Sequence, residues 1–133
     1  MVYNILRMKS ISVVVLLLIV LSAASFAIMP IIIRDRDNGK TSHISVGDFV
    51  DVALNGNPTT GYDWFVDSKI TPVLMKISGP DFKRASERIG AGGKVTYRFK
   101  AVKKGVALLK LVYKRSWEKA PPSKSFVVKI MAE

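Results

Sequence analysis

A chain of 133 residues, 49% of them apolar, with no cysteine and a formal charge of +11, holds enough apolar material for one packed domain. This composition excludes a disulfide-stapled scaffold, a thiol nucleophile and a disordered polyelectrolyte. With a single histidine and no cysteine, zinc sites built from Cys and His are excluded as well.

The first element is apolar. Arg7 and Lys9 precede SISVVVLLLIVLSAASFAIMPIII, residues 10–33, and no charge follows before Arg34. Such a segment is an export signal or a membrane anchor. Ser22-Ala23-Ala24 and Ser25-Phe26-Ala27 offer the small residues that a cleavage site uses. The uncharged run continues through Pro30 to Ile33, long enough to cross a bilayer, which takes about 20 residues. Either reading places Arg34 onward outside the cytoplasm, because basic residues ahead of the segment stay inside. Removing Arg7 and Lys9 from the 21 basic residues leaves 19 against 10 acidic ones, or +9, on the exported part. That charge favours acidic partners, such as a cell envelope or a negatively charged protein, over nucleic acid, which an exported protein seldom meets.

A polar connector, residues 34–43, leads into period-two patterns that continue to the C-terminus. DFVDVAL sets Val50, Val52 and Leu54 on one face, and YDWFVD sets Tyr62, Trp64 and Val66 together with Asp63 and Asp67 opposite. Residues 73–77 form a short strand. In KVTYRFKA, Val95, Tyr97, Phe99 and Ala101 alternate with Lys94, Thr96, Arg98 and Lys100, a half-buried strand. Lys103-Lys104-Gly105 reads as a hairpin turn. VALLKLVYK and SFVVKIM are apolar on both sides, as a central strand pair is. Without a sustained helical period after Pro30, these elements predict an all-β fold. It is an immunoglobulin-like antiparallel β-sandwich of six to seven strands, preceded by the apolar signal or anchor segment. The expected organisation is residues 1–33 as signal peptide or membrane anchor, 34–43 as connector and 44–133 as one domain, a monomer.

Three connections differ from tight turns. NGNPTTGYDW, residues 55–64, is stiffened by Pro58, which fixes its own φ and pushes Asn57 toward extended backbone. Residues 78–93 contain GAGG, which lacks the Lys-Ser/Thr of a phosphate loop. Residues 115–123, RSWEKAPPS, place Trp117 beside Arg115 and Glu118 ahead of a rigid Ala-Pro-Pro. Alternate loops of a sandwich share one end, which would bring the three together. Catalytic chemistry is thin: His43 lies just ahead of the first clear strand with no nucleophile signature nearby, and the aspartates alternate on strands as solvated or cross-strand partners. The residues call for no catalysis, metal or cofactor; they suit binding by loops on a rigid scaffold.

NPTTGY at 57–62, GAGG at 90–93 and KRSWE at 114–118, in this order and spacing, resemble the chagasin family, proteinaceous inhibitors of papain-like cysteine peptidases. The resemblance runs from residue 46 to the C-terminus. It implies an immunoglobulin-like sandwich whose three loops enter the peptidase cleft as a wedge. By position, Asn57, Pro58, Thr59, Thr60, Gly61 and Tyr62 form the central loop. Gly90, Ala91, Gly92 and Gly93 form one flank, and Arg115, Ser116 and Trp117 the other. Ser116 stands where the family usually has proline, which removes one source of stiffness from that flank. The implied function is reversible, non-covalent, competitive inhibition. A basic surface module for adhesion or envelope organisation, using Arg98, Lys100, Lys103, Lys104 and Lys110, is the rival expectation.

Overall fold

A computed structural model describes residues 28–67 and 72–133; most of the expected leader lies outside them. Among the described residues eight strands form two four-stranded sheets. In chain order they are β1 (Ile31–Arg34), β2 (Thr41–Ile44), β3 (Phe49–Gly56), β4 (Asp63–Val66), β5 (Leu74–Arg84), β6 (Gly93–Ala101), β7 (Gly105–Lys114) and β8 (Lys124–Ala132). One sheet has the order β1-β3-β6-β5 and the other β2-β8-β7-β4.

The alternating residues bury as their period dictates. Val50, Val52 and Leu54 of β3, Trp64 of β4, Val95, Tyr97 and Phe99 of β6, Leu109 and Leu111 of β7, and Phe126, Val128 and Ile130 of β8 meet between the sheets. The expected central pair, β7 and β8, is central in its sheet. On the outer faces the aspartates find cross-strand cations. Arg98 clasps Asp51 through two bonds of 2.7 Å, and Lys110 reaches Asp67 at 3.3 Å.

Five expectations change. Ile31–Arg34, read as the end of the apolar run and the start of the connector, is a strand whose Ile33 is only 3% exposed. Thr41–Ile44 adds a second short strand. Both pair in parallel, β1 with β3 and β2 with β8, so the sheets are mixed. Strand β5 extends from Leu74 to Arg84, well beyond residue 77, which shortens the second long connection to residues 85–92. Lys103-Lys104-Gly105 is no hairpin: β6 and β7 belong to different sheets, and the turn carries the chain across the sandwich.

Strand polarity sorts the connections. Gly56 lies opposite Gly93, Arg84 opposite Gly93, Asp63 opposite Lys114 and Tyr113 opposite Lys124. The links β3–β4, β5–β6 and β7–β8 therefore emerge at one end, and those joining β2 to β3, β4 to β5 and β6 to β7 at the other.

The sheets are also tied through their interior, where the Tyr97 hydroxyl of β6 donates to the Trp64 carbonyl of β4 at 2.5 Å. Burial, and secondarily the negative charge of Asp63, raises the Tyr97 pKa above its ordinary value. The native state thus keeps a proton that the unfolded chain releases near pH 10, about the ordinary tyrosine value. This contribution to stability is complete below that pH and is lost as pH rises through the higher folded value. Thermal melts should show a stability loss above about pH 10 that is reduced in Tyr97→Phe, with a neutral-pH cost of about 1 kcal/mol for the lost bond. An alkaline loss of the same size in both proteins would assign it to other groups.

Candidate functional site

The central loop is a single 3-10 turn, Pro58–Thr60, with both ends closed by its own residues. Asn57 has extended backbone (φ −140°, ψ 90°), and its side-chain oxygen accepts from the Thr59 amide at 3.2 Å and from the Thr59 hydroxyl. Pro58 occupies the first helical position, where its fixed φ is already correct and its missing N–H costs nothing. Gly61 ends the turn at φ +82°, with its amide donating to the Pro58 carbonyl at 2.9 Å. The Thr60 hydroxyl donates to the Asn57 carbonyl at 2.7 Å. Each polar group satisfied inside the loop is one fewer that must be ordered or desolvated on meeting a partner.

Aromatic packing fixes the loop base. Tyr62 stacks on Tyr113 with centroids 5.3 Å apart, and the Trp64 ring lies tilted against Tyr113 at 5.1 Å. The Tyr113 hydroxyl accepts the Asn57 amide at 3.0 Å, and the Trp64 indole donates to the Asn55 carbonyl at 2.9 Å.

Both flanks are bonded to the centre. On one side Asn57 Nδ2 donates to the Gly90 carbonyl at 2.9 Å. Gly90, at φ +76°, sits inside a turn closed by the Ala91 amide donating to the Arg88 carbonyl at 3.1 Å. On the other side Arg115 Nε donates to the Thr60 carbonyl at 3.1 Å, and its guanidinium lies 4.4 Å from the Tyr62 ring centroid. Glu118 accepts from Arg115 at 3.0 Å, a bond that raises the Arg115 pKa further above its ordinary value and holds the guanidinium in place. Trp117 stays 68% exposed, with its ring edge over Gly61, where an added Cβ would stand 2.5 Å from Cη2.

The residues expected at the site therefore converge: 57–62 in the middle, Gly90 to one side, Arg115 and Trp117 to the other. Ser116 is exposed between the latter two, and the Glu118–Arg115 contact supplies rigidity that a proline would otherwise give. Gly93 is the exception. It is the first residue of β6, and a side chain there would collide with the Lys83 carbonyl of β5, so its glycine serves sheet packing. Sequence reasoning missed Tyr113, whose only signal was an aromatic residue at the end of an apolar strand. It also missed the bridging role of the Asn57 amide nitrogen.

Comparison with known proteins identifies a family. A family model described as the chagasin family peptidase inhibitor I42 matches residues 43–130. Amoebiasin-1 of Entamoeba histolytica is 30% identical over 98 residues, covering 74% of this chain and 95% of that protein. Chagasin of Trypanosoma cruzi is 31% identical over 84 residues, covering 60% of this chain and 76% of its own length. Among solved structures, the cysteine protease inhibitor EhICP2 from Entamoeba histolytica aligns with a TM-score of 0.63 at 25% identity, covering 77% of this chain and 94% of that one. A family match across two thirds of the sequence, on a sandwich whose three loops join as described, establishes that this chain belongs to the chagasin family of peptidase inhibitors.

Proposed function

We propose that the three joined loops enter the active-site cleft of a papain-like cysteine peptidase and block it reversibly, competitively and without a covalent bond. The observation that carries this reading is the locked central turn. A substrate is cut when it lies extended and offers a free carbonyl to the thiolate. Here the backbone is curled into a 3-10 turn, and the carbonyls of Asn57, Pro58 and Thr60 are already taken by Thr60, Gly61 and Arg115. Small Thr59 and Thr60 fit near a catalytic pair without steric conflict, while exposed Trp117 supplies an aromatic anchor of the type enriched in binding hot spots. Three contiguous loops are of the scale of a standard interface, about 1,600 Å² in total.

The adhesion reading loses its surface. Arg98 and Lys100 lie on one sheet, with Arg98 bound to Asp51. Lys110 lies on the other sheet with Asp67, and Lys103 and Lys104 sit in the β6–β7 link between the sheets, so the five cations form no common face.

The test is titration of residues 28–133, which retain β1, against papain with a fluorogenic peptide substrate. Tight competitive loss of activity is expected. Trp117→Ala should weaken inhibition at least tenfold, since an anchor of this kind contributes about 2 kcal/mol or more. Its melting temperature should match the parent, because the side chain is mostly in solvent. No inhibition at micromolar protein would overturn the reading, and full potency in Trp117→Ala would remove that residue from the site. The same reading places the sandwich outside the cytoplasm, exported by the leader.

A further inference from the structure

Strand β1 runs parallel to β3, with Ile31 opposite Val50 and Arg34 opposite Ala53. Because β3 travels toward the central loop, β1 starts at the far end of the sandwich, and the chain ahead of Ile31 leaves from there. The apolar leader thus joins the domain at the end opposite the three loops. Taking residues 31–33 into β1 still leaves residues 10–30 free of charge, about the length that a bilayer crossing takes.

That far end differs from an ordinary solvated rim. Ile28 and Met29, just ahead of β1, are 69% and 84% exposed. Val46 in the β2–β3 link, Val102 in the β6–β7 link and Val106 at the start of β7 are exposed at the same end. The chain segments converge there through backbone bonds: Val46 to Glu133, Gly47 to Ala101 and Val102 to Val73. Lys103 and Lys104 protrude from the same β6–β7 link, and neither makes an ion pair among the described residues. Of the carboxylates in these segments, Asp48 accepts from the Ser45 amide at 2.8 Å and Glu133 lies 3.1 Å from His43, and neither pairs with Lys103 or Lys104. A single exposed valine needs no explanation. Five exposed apolar residues and two lysines without an ion pair, at the end from which the apolar leader departs, match what a membrane interface accepts: apolar side chains in the headgroup boundary and ammonium groups among anionic phosphates.

We propose that the end of the sandwich opposite the inhibitory loops is a membrane-docking surface, lying on the anionic headgroups of the bilayer that holds the leader. This arrangement points the three loops away from the membrane, toward peptidases arriving from solution. The docking itself does not depend on the inhibitor reading; only the purpose of the orientation rests on it.

The absence of native cysteine permits single labels. Full-length chain carrying Val102→Cys or Ala120→Cys, each with a fluorophore, is reconstituted into vesicles of phosphatidylcholine alone or mixed with phosphatidylglycerol, both containing a headgroup nitroxide quencher. Position 102 should be quenched at least threefold more than position 120, and more strongly in the anionic vesicles. Lys103→Glu with Lys104→Glu should bring position 102 down to the level of position 120. Equal quenching of the two positions, indifference to lipid charge, or no effect of charge reversal would each overturn the proposal. Papain inhibition is read in the same samples, so loss of inhibition with the quenching pattern intact strikes the inhibitor reading alone.

Discussion

Asn57→Ala should reduce inhibition of papain by about thirtyfold while leaving the sandwich folded. The Asn57 side chain does two things at once: its oxygen caps the Pro58–Thr60 turn, and its nitrogen holds the Gly90 carbonyl of the neighbouring loop. Loss of an N-cap costs about 1 kcal/mol, and loss of one further hydrogen bond about another 1 kcal/mol. Neither cost falls on the core, so the melting temperature should move by only a few degrees. The unlocked loops must instead be reordered at the moment of binding, and about 2 kcal/mol corresponds to a factor of about thirty. Asn57→Asp separates the two roles. It retains the capping oxygen, but turns an acceptor toward the Gly90 carbonyl where a donor is needed, so it should lose the bridge and keep the turn. If Asn57→Ala inhibited as well as the parent, the joining of the two loops would have no part in binding.

Gly61→Val should be more severe, with at least a hundredfold loss. Two separate physical effects act at this position. At φ +82° a β-branched residue is a genuine outlier, and strain of this kind costs about 1–3 kcal/mol. The loop escapes by adopting another backbone conformation, and the binding-competent one then becomes a minor state, which lowers apparent affinity in proportion. In addition, the new Cβ would meet Trp117 at 2.5 Å, and since that ring is the mobile partner, the aromatic anchor is the group displaced. Gly90 supplies the control. Its φ of +76° is nearly the same, yet a Cβ there meets nothing within 4 Å, so Gly90→Ala carries backbone strain alone. Comparing Gly61→Ala with Gly90→Ala by inhibition titration isolates the Trp117 contribution. Equal losses would show that displacing the ring is harmless.

What the sequence revealed follows from which faces are buried. Strands β3, β4, β6, β7 and β8 were legible because one side of each packs between the sheets, and burial imposes period two. Strand β5 was legible only at its start. It is a sheet edge with most of its side chains in solvent, so no alternation marks it, and Gly79-Pro80 in its middle imitates a loop. Strand β1 was hidden because its isoleucines continue the apolar run of residues 10–30 without a break in composition. Strand β2 has four residues and a single buried side chain, too little for a pattern. Parallel pairing of both with distant strands is a non-local choice that no short window contains. Lys103-Lys104-Gly105 shows the same limit: turn chemistry reports that the chain reverses, not which sheet receives the next strand. For the site, the residues were legible and the bonds between them were not, because Asn57, Gly90 and Arg115 are joined only once the sandwich brings their loops to one end.

The irregular course of β5 has a consequence for the behaviour of many copies together. A long outer strand with a free row of amides and carbonyls is a template on which another chain can add and from which fibres grow. Here the pairing with β6 slips between Lys76 and Ser78 and again between Ser78 and Asp81, and Pro80 contributes no amide between them. The outward row is therefore broken into short, misaligned pieces, and an incoming strand finds no continuous ladder. A molecule built almost wholly of strands stays dispersed because its longest outer strand is too uneven to copy.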